Sequence, residues 1–229
     1  MKTLCVLQHT EAEYLGLLED HFEGRNLRFI YKRPFTPGGT VPADTTGCDG
    51  LILLGGGPYG IVSGPLLPSL APELRLTRAF LDAGLPVLGI ELGAIILATA
   101  CGGGAAEAPL RFSIEEAART SPDALGGHLP ERFPVAAYLR DRPVLPAGAE
   151  VLAVTRGEEA SVFAARGNCL GFVGHPGMKS GMAEDLVMEF AETPEGTADA
   201  LDVLRRQQLR LAESLSEIVV GIGRHTGWY

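Results

Sequence analysis

Cysteine is scarce in this chain of 229 residues, and no two cysteines form a C-x-x-C pair. The four that occur stand singly along the sequence, at Cys5, Cys48, Cys101 and Cys169. Such spacing supports neither a zinc site nor a disulfide framework, so we expect reduced thiols. Histidine is also sparse, and four of the five histidines show no metal-ligand spacing: His9, His21, His128 and His225. We therefore expect no metal site and no cofactor.

Basic residues are few, with 19 lysines and arginines against 28 aspartates and glutamates, for a formal net charge of −9. An acidic protein does not favour binding to nucleic acid or to an anionic membrane, because both depend on clustered positive charge. No apolar run approaches the length of a membrane span, and the N-terminal segment lacks the apolar core of a signal peptide. These absences predict a cytoplasmic protein with no nucleic-acid partner and no membrane partner.

The strongest positive pattern is an apolar strand at residues 86 to 90 that runs directly into a helix at about residues 93 to 100. Glu91 stands at the corner, and Gly89 and Gly93 lie two residues on either side of it. This G-x-E-x-G pattern is typical of a nucleophile elbow, in which small neighbours let strand and helix approach around one strained residue. The pattern predicts that Glu91 is displayed over the N-terminus of the helix.

A second pattern is an apolar strand at residues 51 to 54 that ends in three consecutive glycines. Glycines permit positive φ angles, so the backbone N–H groups of Gly56 and Gly57 can point into a pocket. With the amide of Leu92, which follows the corner, they would form the two halves of an oxyanion hole. A tight turn without a ligand is the alternative interpretation of the same glycines.

Three segments resemble, in order and spacing, those of class I glutamine amidotransferases. PVLGIELGAIILA resembles the elbow of that family, LILLGGGPYGIV resembles its oxyanion strand and loop, and GNCLGFVGHPGMKS resembles the segment with the catalytic histidine, here His175. The resemblance covers about residues 1 to 180 and is closest to the glutaminase domain of GMP synthase. It implies a flavodoxin-like, doubly wound α/β fold, with a mostly parallel sheet, helices on both faces and an antiparallel extension at the sheet edge.

The length of the chain suits one large domain, so we predict a single domain over residues 1 to 229. A helical pattern at about residues 11 to 22 predicts a helix after the first strand. Residues 181 to 229 are predicted to form a helical extension, because apolar residues recur there every three to four positions. Its long amphipathic helix would pack either on the domain itself or on a partner.

The family motifs are incomplete in this chain. Glu91 stands where the family has its nucleophilic cysteine, Gly177 where it has the glutamate of the triad, and Ile95 where it has a glutamine that binds substrate. Only His175 is retained. Attack by a carboxylate on an amide would give an acid anhydride, which is less stable than the amide, so we expect no glutaminase activity. No cysteine can substitute, since Cys101 lies about 15 Å along the helix from the corner.

Three interpretations of Glu91 are open from the sequence. It can be a structural or regulatory carboxylate that is held by the helix N-terminus and by an ion pair with His175. It can be a nucleophile toward an ester or another activated substrate, with His175 activating water. It can also be a general base, or a ligand for a bound cation or amine.

These interpretations lead to one main hypothesis for the function and two alternatives. The main hypothesis is an amidotransferase-like protein that lacks glutaminase activity and acts as a binding or regulatory protein. The first alternative is a hydrolase or transferase that uses Glu91 and His175 on a substrate other than glutamine. The second is a subunit that docks on a synthetase. The expected partners are accordingly a small-molecule ligand, a protein partner or a second copy of the chain.

Overall fold

The computed structural model describes all residues from Met1 to Tyr229. The strands are β1 (Lys2–Leu7), β2 (Leu27–Lys32), β3 (Gly50–Leu53), β4 (Val87–Ile90), β5 (Gly104–Ala106), β6 (Arg111–Arg119), β7 (Arg132–Leu139), β8 (Arg142–Val144), β9 (Glu150–Thr155), β10 (Ala160–Arg166) and β11 (Cys169–Phe172). The α-helices are α1 (Leu18–Glu23), α2 (Leu70–Asp82), α3 (Leu92–Ala100), α4 (Ser180–Glu189) and α5 (Thr197–Thr226). A short 3₁₀ turn at Ala124–Gly127 precedes β7.

Nine strands form one sheet in the order β2-β1-β3-β4-β11-β10-β9-β6-β7. The first five are parallel, and the remaining four continue the sheet as antiparallel strands. Strands β5 and β8 pair separately as a small antiparallel ribbon. The α/β fold with an antiparallel extension is therefore confirmed.

Helices cover both faces of the parallel part. Along β1, Leu4 and Val6 belong to the core beneath α1 and α5, whereas Cys5 and Leu7 belong to the core beneath α2 and α3. Strands β3, β4 and β11 are buried along their whole length, because each is covered on both sides. This explains why these strands are continuous apolar runs in the sequence.

Two glycines allow the β4–α3 corner to close. A Cβ on Gly89 would lie 2.5 Å from the carbonyl oxygen of Gly93, and a Cβ on Gly93 would lie 2.1 Å from the carbonyl oxygen of Leu53. Neither position has room for a side chain, so α3 can pack directly on β3 and β4 only with glycine at both. The G-x-E-x-G pattern is thus a steric requirement of this corner.

The helix predicted at residues 11 to 22 is wrong in its first half, since α1 begins only at Leu18. Gly16 has a φ of 62°, and the amide of Leu17 donates to the carbonyl of Gly177 (2.9 Å) instead of to a helical partner. A Cβ on Gly16 would lie 2.2 Å from that same carbonyl oxygen. This segment is therefore a loop that packs on the chain next to His175.

Helix α5 packs on its own chain rather than projecting from it. Its apolar stripe is buried against α1, β6, β7 and β11, and contains Leu204, Leu211, Leu215, Ile218 and Ile222. Gly227 ends the helix in the left-handed conformation that is common at C-caps. None of the helices is both long enough and apolar enough to cross a bilayer.

Candidate functional site

Glu91 forms the corner between β4 and α3, where the sequence pattern predicted it. Its φ of 53° and ψ of −114° lie in a region that residues other than glycine rarely adopt. The Glu91 amide donates to the carbonyl of Phe172 (2.8 Å), and its carbonyl accepts from the amide of Ala94 (2.9 Å). Hydrogen bonds to β11 and to the first turn of α3 thus hold the strained residue from both sides.

The Glu91 carboxyl group is fully buried and faces a second buried carboxyl group, that of Glu13. Oε1 of Glu91 accepts a hydrogen bond from the backbone amide of Tyr138 (2.7 Å), whereas Oε2 has no hydrogen-bond partner. Oε1 of Glu13 likewise lacks one. A Cβ on Gly55 would lie 2.2 Å from Glu13 Oε1 and 2.5 Å from Glu91 Oε2, so the two oxygens converge on one point.

Burial of the two facing carboxyl groups favours a shared proton over two negative charges. Burial raises the pKa of Glu91 well above its ordinary value, and the charge of Glu13 raises it further, against the lowering effects of the Tyr138 amide and of Arg111. Burial also raises the pKa of Glu13, although hydrogen bonds from the Gly57 amide and from Glu91 oppose this. One proton between the facing oxygens would give each of them a partner, and the directions of the two pKa shifts favour Glu91 as the donor.

Glu13 also occupies the glycine loop that the sequence assigned to an oxyanion. Its Oε2 accepts from the amide of Gly57, and the Thr10 hydroxyl lies 3.5 Å away from the same oxygen. The N–H group expected to bind a ligand is therefore used by the protein's own carboxylate. Sequence analysis missed Glu13 because it placed this residue in a regular helix instead of in the loop after β1.

Above this loop, His9 forms a second buried pair with Glu73. Its Nδ1 lies 2.7 Å from the carbonyl oxygen of Gly55, and its Nε2 lies 2.8 Å from Glu73 Oε2. Both ring nitrogens face oxygen atoms, and this arrangement favours the imidazolium form of His9. Burial lowers the pKa of His9, but the charge and hydrogen bond of Glu73 outweigh burial and raise it overall. Its position immediately after β1, at the carboxyl edge of the sheet, was the signal that could have identified it.

Apolar side chains close the site from above. A Cβ on Gly56 would lie 2.2 Å from Cδ2 of Leu92, and one on Gly57 would lie 2.8 Å from the ring of Phe190. The Phe190 ring packs edge-on against Tyr59, with 6.1 Å between the ring centroids. The three residues predicted to bind an oxyanion, Gly56, Gly57 and Leu92, thus do lie together, but under a cover contributed by the chain after α4.

The glycine loop continues into a turn that Arg140 and Asp141 anchor. The Arg140 guanidinium donates to the carbonyl of Pro58 through Nε (2.9 Å) and also pairs with Glu192. Asp141 Oδ2 accepts from three consecutive backbone amides: Ile61 (2.8 Å), Val62 (3.0 Å) and Ser63 (3.4 Å). These contacts hold the loop and the covering segment in one arrangement.

His175 is buried and bonds only to backbone groups. Its Nε2 donates to the carbonyl of Tyr14 (2.8 Å), and its Nδ1 accepts from the amide of Gly177 (3.1 Å). Burial lowers the pKa of His175 to about 4, and the hydrogen bond to the Tyr14 carbonyl only partly opposes that effect. The ring is therefore neutral at pH 7, with its proton on Nε2.

The expected ion pair between Glu91 and His175 is not formed, which corrects the sequence interpretation. No hydrogen bond joins the two side chains, because the partners of His175 are backbone groups and the carboxyl partner of Glu91 is Glu13. Burial also disfavours the charged form of both groups. A glutamate at position 177 would require its neighbours to shift by a few tenths of an ångström, since a Cβ there would lie 3.1 to 3.2 Å from backbone atoms of Leu15 and Leu18.

No thiol or metal-binding cluster replaces the missing nucleophile. All four cysteines are free, and none lies at the corner: Cys101 ends α3, and Cys169 begins β11. Burial raises the pKa of Cys5 to about 12 and that of Cys169 to about 11, so neither forms a reactive thiolate near neutral pH. No group of three or more histidine, cysteine, aspartate or glutamate side chains is arranged to hold a metal ion.

Chemically, this arrangement can hold and release a proton but cannot present a nucleophile. The side chains of Glu13, Glu91 and His175 have no exposed surface. A substrate could touch them only if the covering residues moved. In this arrangement the corner is a buried acid pair within a closed core.

Comparisons with known proteins agree with this fold but establish neither a family nor an activity. The sequence matches no protein-family model and no curated protein. Among solved structures, a glutamine amidotransferase from Methylobacillus flagellatus is similar with a TM-score of 0.83 and 20% identity, covering 98% of this chain and 95% of the other. A glutamine amidotransferase from Thermotoga maritima has a TM-score of 0.76 and 22% identity, with 98% of each chain covered.

A third similar structure is that of a candidate GMP synthase subunit from Thermoplasma acidophilum. It has a TM-score of 0.60 and 19% identity, and the match covers 91% of this chain and 98% of the other. At such identities the likeness concerns the fold alone. The chain therefore has the fold of glutamine amidotransferases, and its activity must be argued from its own residues.

Proposed function

We propose that this chain is a class I glutamine amidotransferase-like protein, resembling the glutaminase domain of GMP synthase, that does not hydrolyse glutamine and acts as a binding or regulatory protein. One observation carries the proposal: Glu91 at the elbow is buried against Glu13, and Glu13 accepts a hydrogen bond from the Gly57 amide. The positions at which a nucleophile and an oxyanion would meet are both filled by carboxyl groups of the protein.

Three physical arguments support the loss of glutaminase activity. A protonated Glu91 is no nucleophile, and an ionised one would form an unstable anhydride with an amide substrate. His175 already donates its only ring proton to the carbonyl of Tyr14, and its Nδ1 lone pair accepts a hydrogen bond from the Gly177 amide. Neither ring nitrogen is therefore free to act as a general base for residue 91. The Gly57 amide, finally, is not available to stabilise a tetrahedral intermediate.

Ammonia release from glutamine tests this proposal. We expect no release above background from the native chain, from Glu91→Ala or from Glu91→Cys. The last variant supplies a thiol, but it frees neither His175 nor the Gly57 amide from its hydrogen bonds. A glutaminase of known activity, assayed under the same conditions, is the positive control. Turnover by the native chain that Glu91→Ala abolishes would contradict the proposal. Turnover by Glu91→Cys alone would show that residue 91 is the only defect.

The hydrolase alternative requires Glu91 and His175 to act as a pair on a substrate. Both side chains are buried and no hydrogen bond joins them, so we do not propose it. Mass spectrometry after incubation with activated esters checks this choice. We expect no covalent adduct on Glu91.

The docking alternative depended on a long helix that is free to bind a partner. The apolar stripe of α5 is instead buried on its own chain, which removes that argument. A small-molecule ligand is the partner that we favour for the binding role.

A further inference from the structure

A cleft opens between the β6–β7 ribbon and the β9–β10 hairpin, on the antiparallel part of the sheet. Its outer part has a volume of about 200 Å³ and lies between Arg111 and Arg142. A narrow inner part continues from it toward Ser161 and Gly174. The cleft is thus large enough for a small molecule and too small for a peptide.

The guanidinium of Arg111, at the start of β6, lies beside this cleft without an ion-pair partner. None of the six salt bridges in the structure includes it, and its guanidinium donates no hydrogen bond. The residue is only partly exposed. A planar guanidinium with free N–H groups, partly withdrawn from water, is suited to bind a carboxylate through two parallel hydrogen bonds.

Arg142 differs from Arg111 although it lines the same cleft. Its guanidinium lies 3.1 Å from Glu159 Oε1, and each of the two side chains is 49% exposed. The positive charge of Arg142 is therefore already balanced at the rim. Only Arg111 is left to attract an anion.

Ser161 provides a second, independent indication of a ligand. Its side chain lines the narrow inner part, its exposed fraction is 2%, and its hydroxyl has no hydrogen-bond partner. A buried hydroxyl without a partner costs free energy, because it has lost its hydrogen bonds to water and gained none in return. An acceptor atom that entered the cleft would satisfy it.

We propose that this cleft binds a small aliphatic monocarboxylate. Its carboxylate would pair with Arg111 and accept a hydrogen bond from Ser161, while its alkyl part would lie against Ala160 and Val173, which line both parts of the cleft. A single negative charge fits best, because the carboxylates of Glu115 and Glu159 also line the cleft and would repel a dianion. Phosphate is therefore disfavoured.

This inference rests on the binding role proposed above and specifies its ligand. The ligand inference and the proposed loss of glutaminase activity can fail separately. Ammonia release from glutamine would contradict the loss of glutaminase activity without affecting the cleft. Absence of carboxylate binding would overturn the cleft alone.

Isothermal titration calorimetry with sodium butyrate tests the proposal on the full chain, at constant ionic strength. We expect saturable binding by the native chain and none of butyramide, which has the same shape without the charge. Arg111→Gln should weaken butyrate binding at least about tenfold. The matched control is Arg205→Gln, which removes a guanidinium that is paired with Glu184 outside the cleft and should change the affinity less than about threefold.

Several outcomes would overturn the assignment. These are no saturable binding of butyrate, equal binding of butyramide, tighter binding of inorganic phosphate than of butyrate, or an unchanged affinity in Arg111→Gln. The thermal midpoint of each variant without ligand shows whether it folds. Should Arg111→Gln not fold, the side-chain ¹⁵N resonance of Arg111 in the native chain gives the answer, since only butyrate binding at this residue would shift it in a saturable way.

Discussion

Asp141 and Glu91 are two acidic residues with no exposed surface, at turns that close the same edge of the sheet, yet their surroundings are opposite. Asp141 accepts hydrogen bonds from three consecutive amides and from the hydroxyl of Ser63. Glu91 accepts one backbone hydrogen bond and meets another carboxyl group. Hydrogen bonds from Ser63 and its neighbours outweigh burial and lower the pKa of Asp141, whereas burial and Glu13 raise that of Glu91.

The difference shows that donors, and not burial alone, decide whether a buried acid is charged. Four donors replace the water that Asp141 loses on folding, so the carboxylate survives. Glu91 lacks such donors and keeps a proton instead. A charged loop anchor and a neutral acid at the elbow therefore arise from the same type of functional group.

The two sites also predict opposite responses to pH. The lowered pKa of Asp141 contributes stability above its unfolded value of 3.8, and this contribution is lost as the pH falls through the folded pKa. The raised pKa values of Glu13 and Glu91 contribute stability that is complete below their unfolded value of 4.5. That contribution is lost as the pH rises through their folded values.

Removing the charged anchor should have the largest effect. Asp141→Ala would leave three amides of the loop without acceptors, and we expect a loss of about 3 kcal/mol in the free energy of unfolding at neutral pH. Urea unfolding followed by circular dichroism measures it. Asp141→Asn keeps one acceptor oxygen and should lose less. A loss in Asp141→Ala of under about 1 kcal/mol would show that the loop does not depend on this carboxylate.

Removing the elbow acid should cost less, because Glu91 makes fewer hydrogen bonds. Glu91→Ala would leave the Tyr138 amide and Glu13 Oε1 unpaired and create a small cavity, so we expect a loss of about 2 kcal/mol. The same unfolding experiment tests this value. A variant as stable as the native chain would mean that Glu13 finds another partner, contrary to the shared proton.

A neutral isostere should sharpen the contrast in pH dependence. Glu91→Gln can accept from Tyr138 and donate to Glu13, as the protonated acid does. Relative to the native chain, we expect its stability to increase as the pH rises above 4.5, the value at which Glu91 releases its proton in the unfolded chain. Because both chains contain His9 and His175, the difference between their stability curves reports on Glu91 alone. Parallel stability curves for the two proteins over this range would rule out the shared proton.

An exposed ion pair supplies the small-effect reference. Arg205 and Glu184 lie 2.9 Å apart, with 52% and 42% of their side chains exposed. Glu184→Ala should change the free energy of unfolding by less than about 0.5 kcal/mol, and less still in high salt. A larger change would indicate that acidic residues matter here through net charge rather than through local donors.

Much of the fold could be predicted from the sequence, because its signals are local. The apolar runs of β3 and β4 mark strands buried on both faces, and Gly89 and Gly93 mark a corner without room for side chains. The amphipathic pattern of α5 likewise predicted its helix. Residues 11 to 17 were predicted wrongly, since the contact of Gly16 with Gly177 joins distant parts of the chain.

The sequence by itself determined that a carboxyl group, not a thiol, stands at the strained corner, because the identity of residue 91 and its flanking glycines are properties of neighbouring residues. Only the tertiary structure decided that Glu13, rather than His175, is its partner. Partner choice depends on which groups the fold brings together out of water, and on whether enough donors surround them to keep a charge. That balance is set by long-range packing and cannot be read from the spacing of residues along the chain.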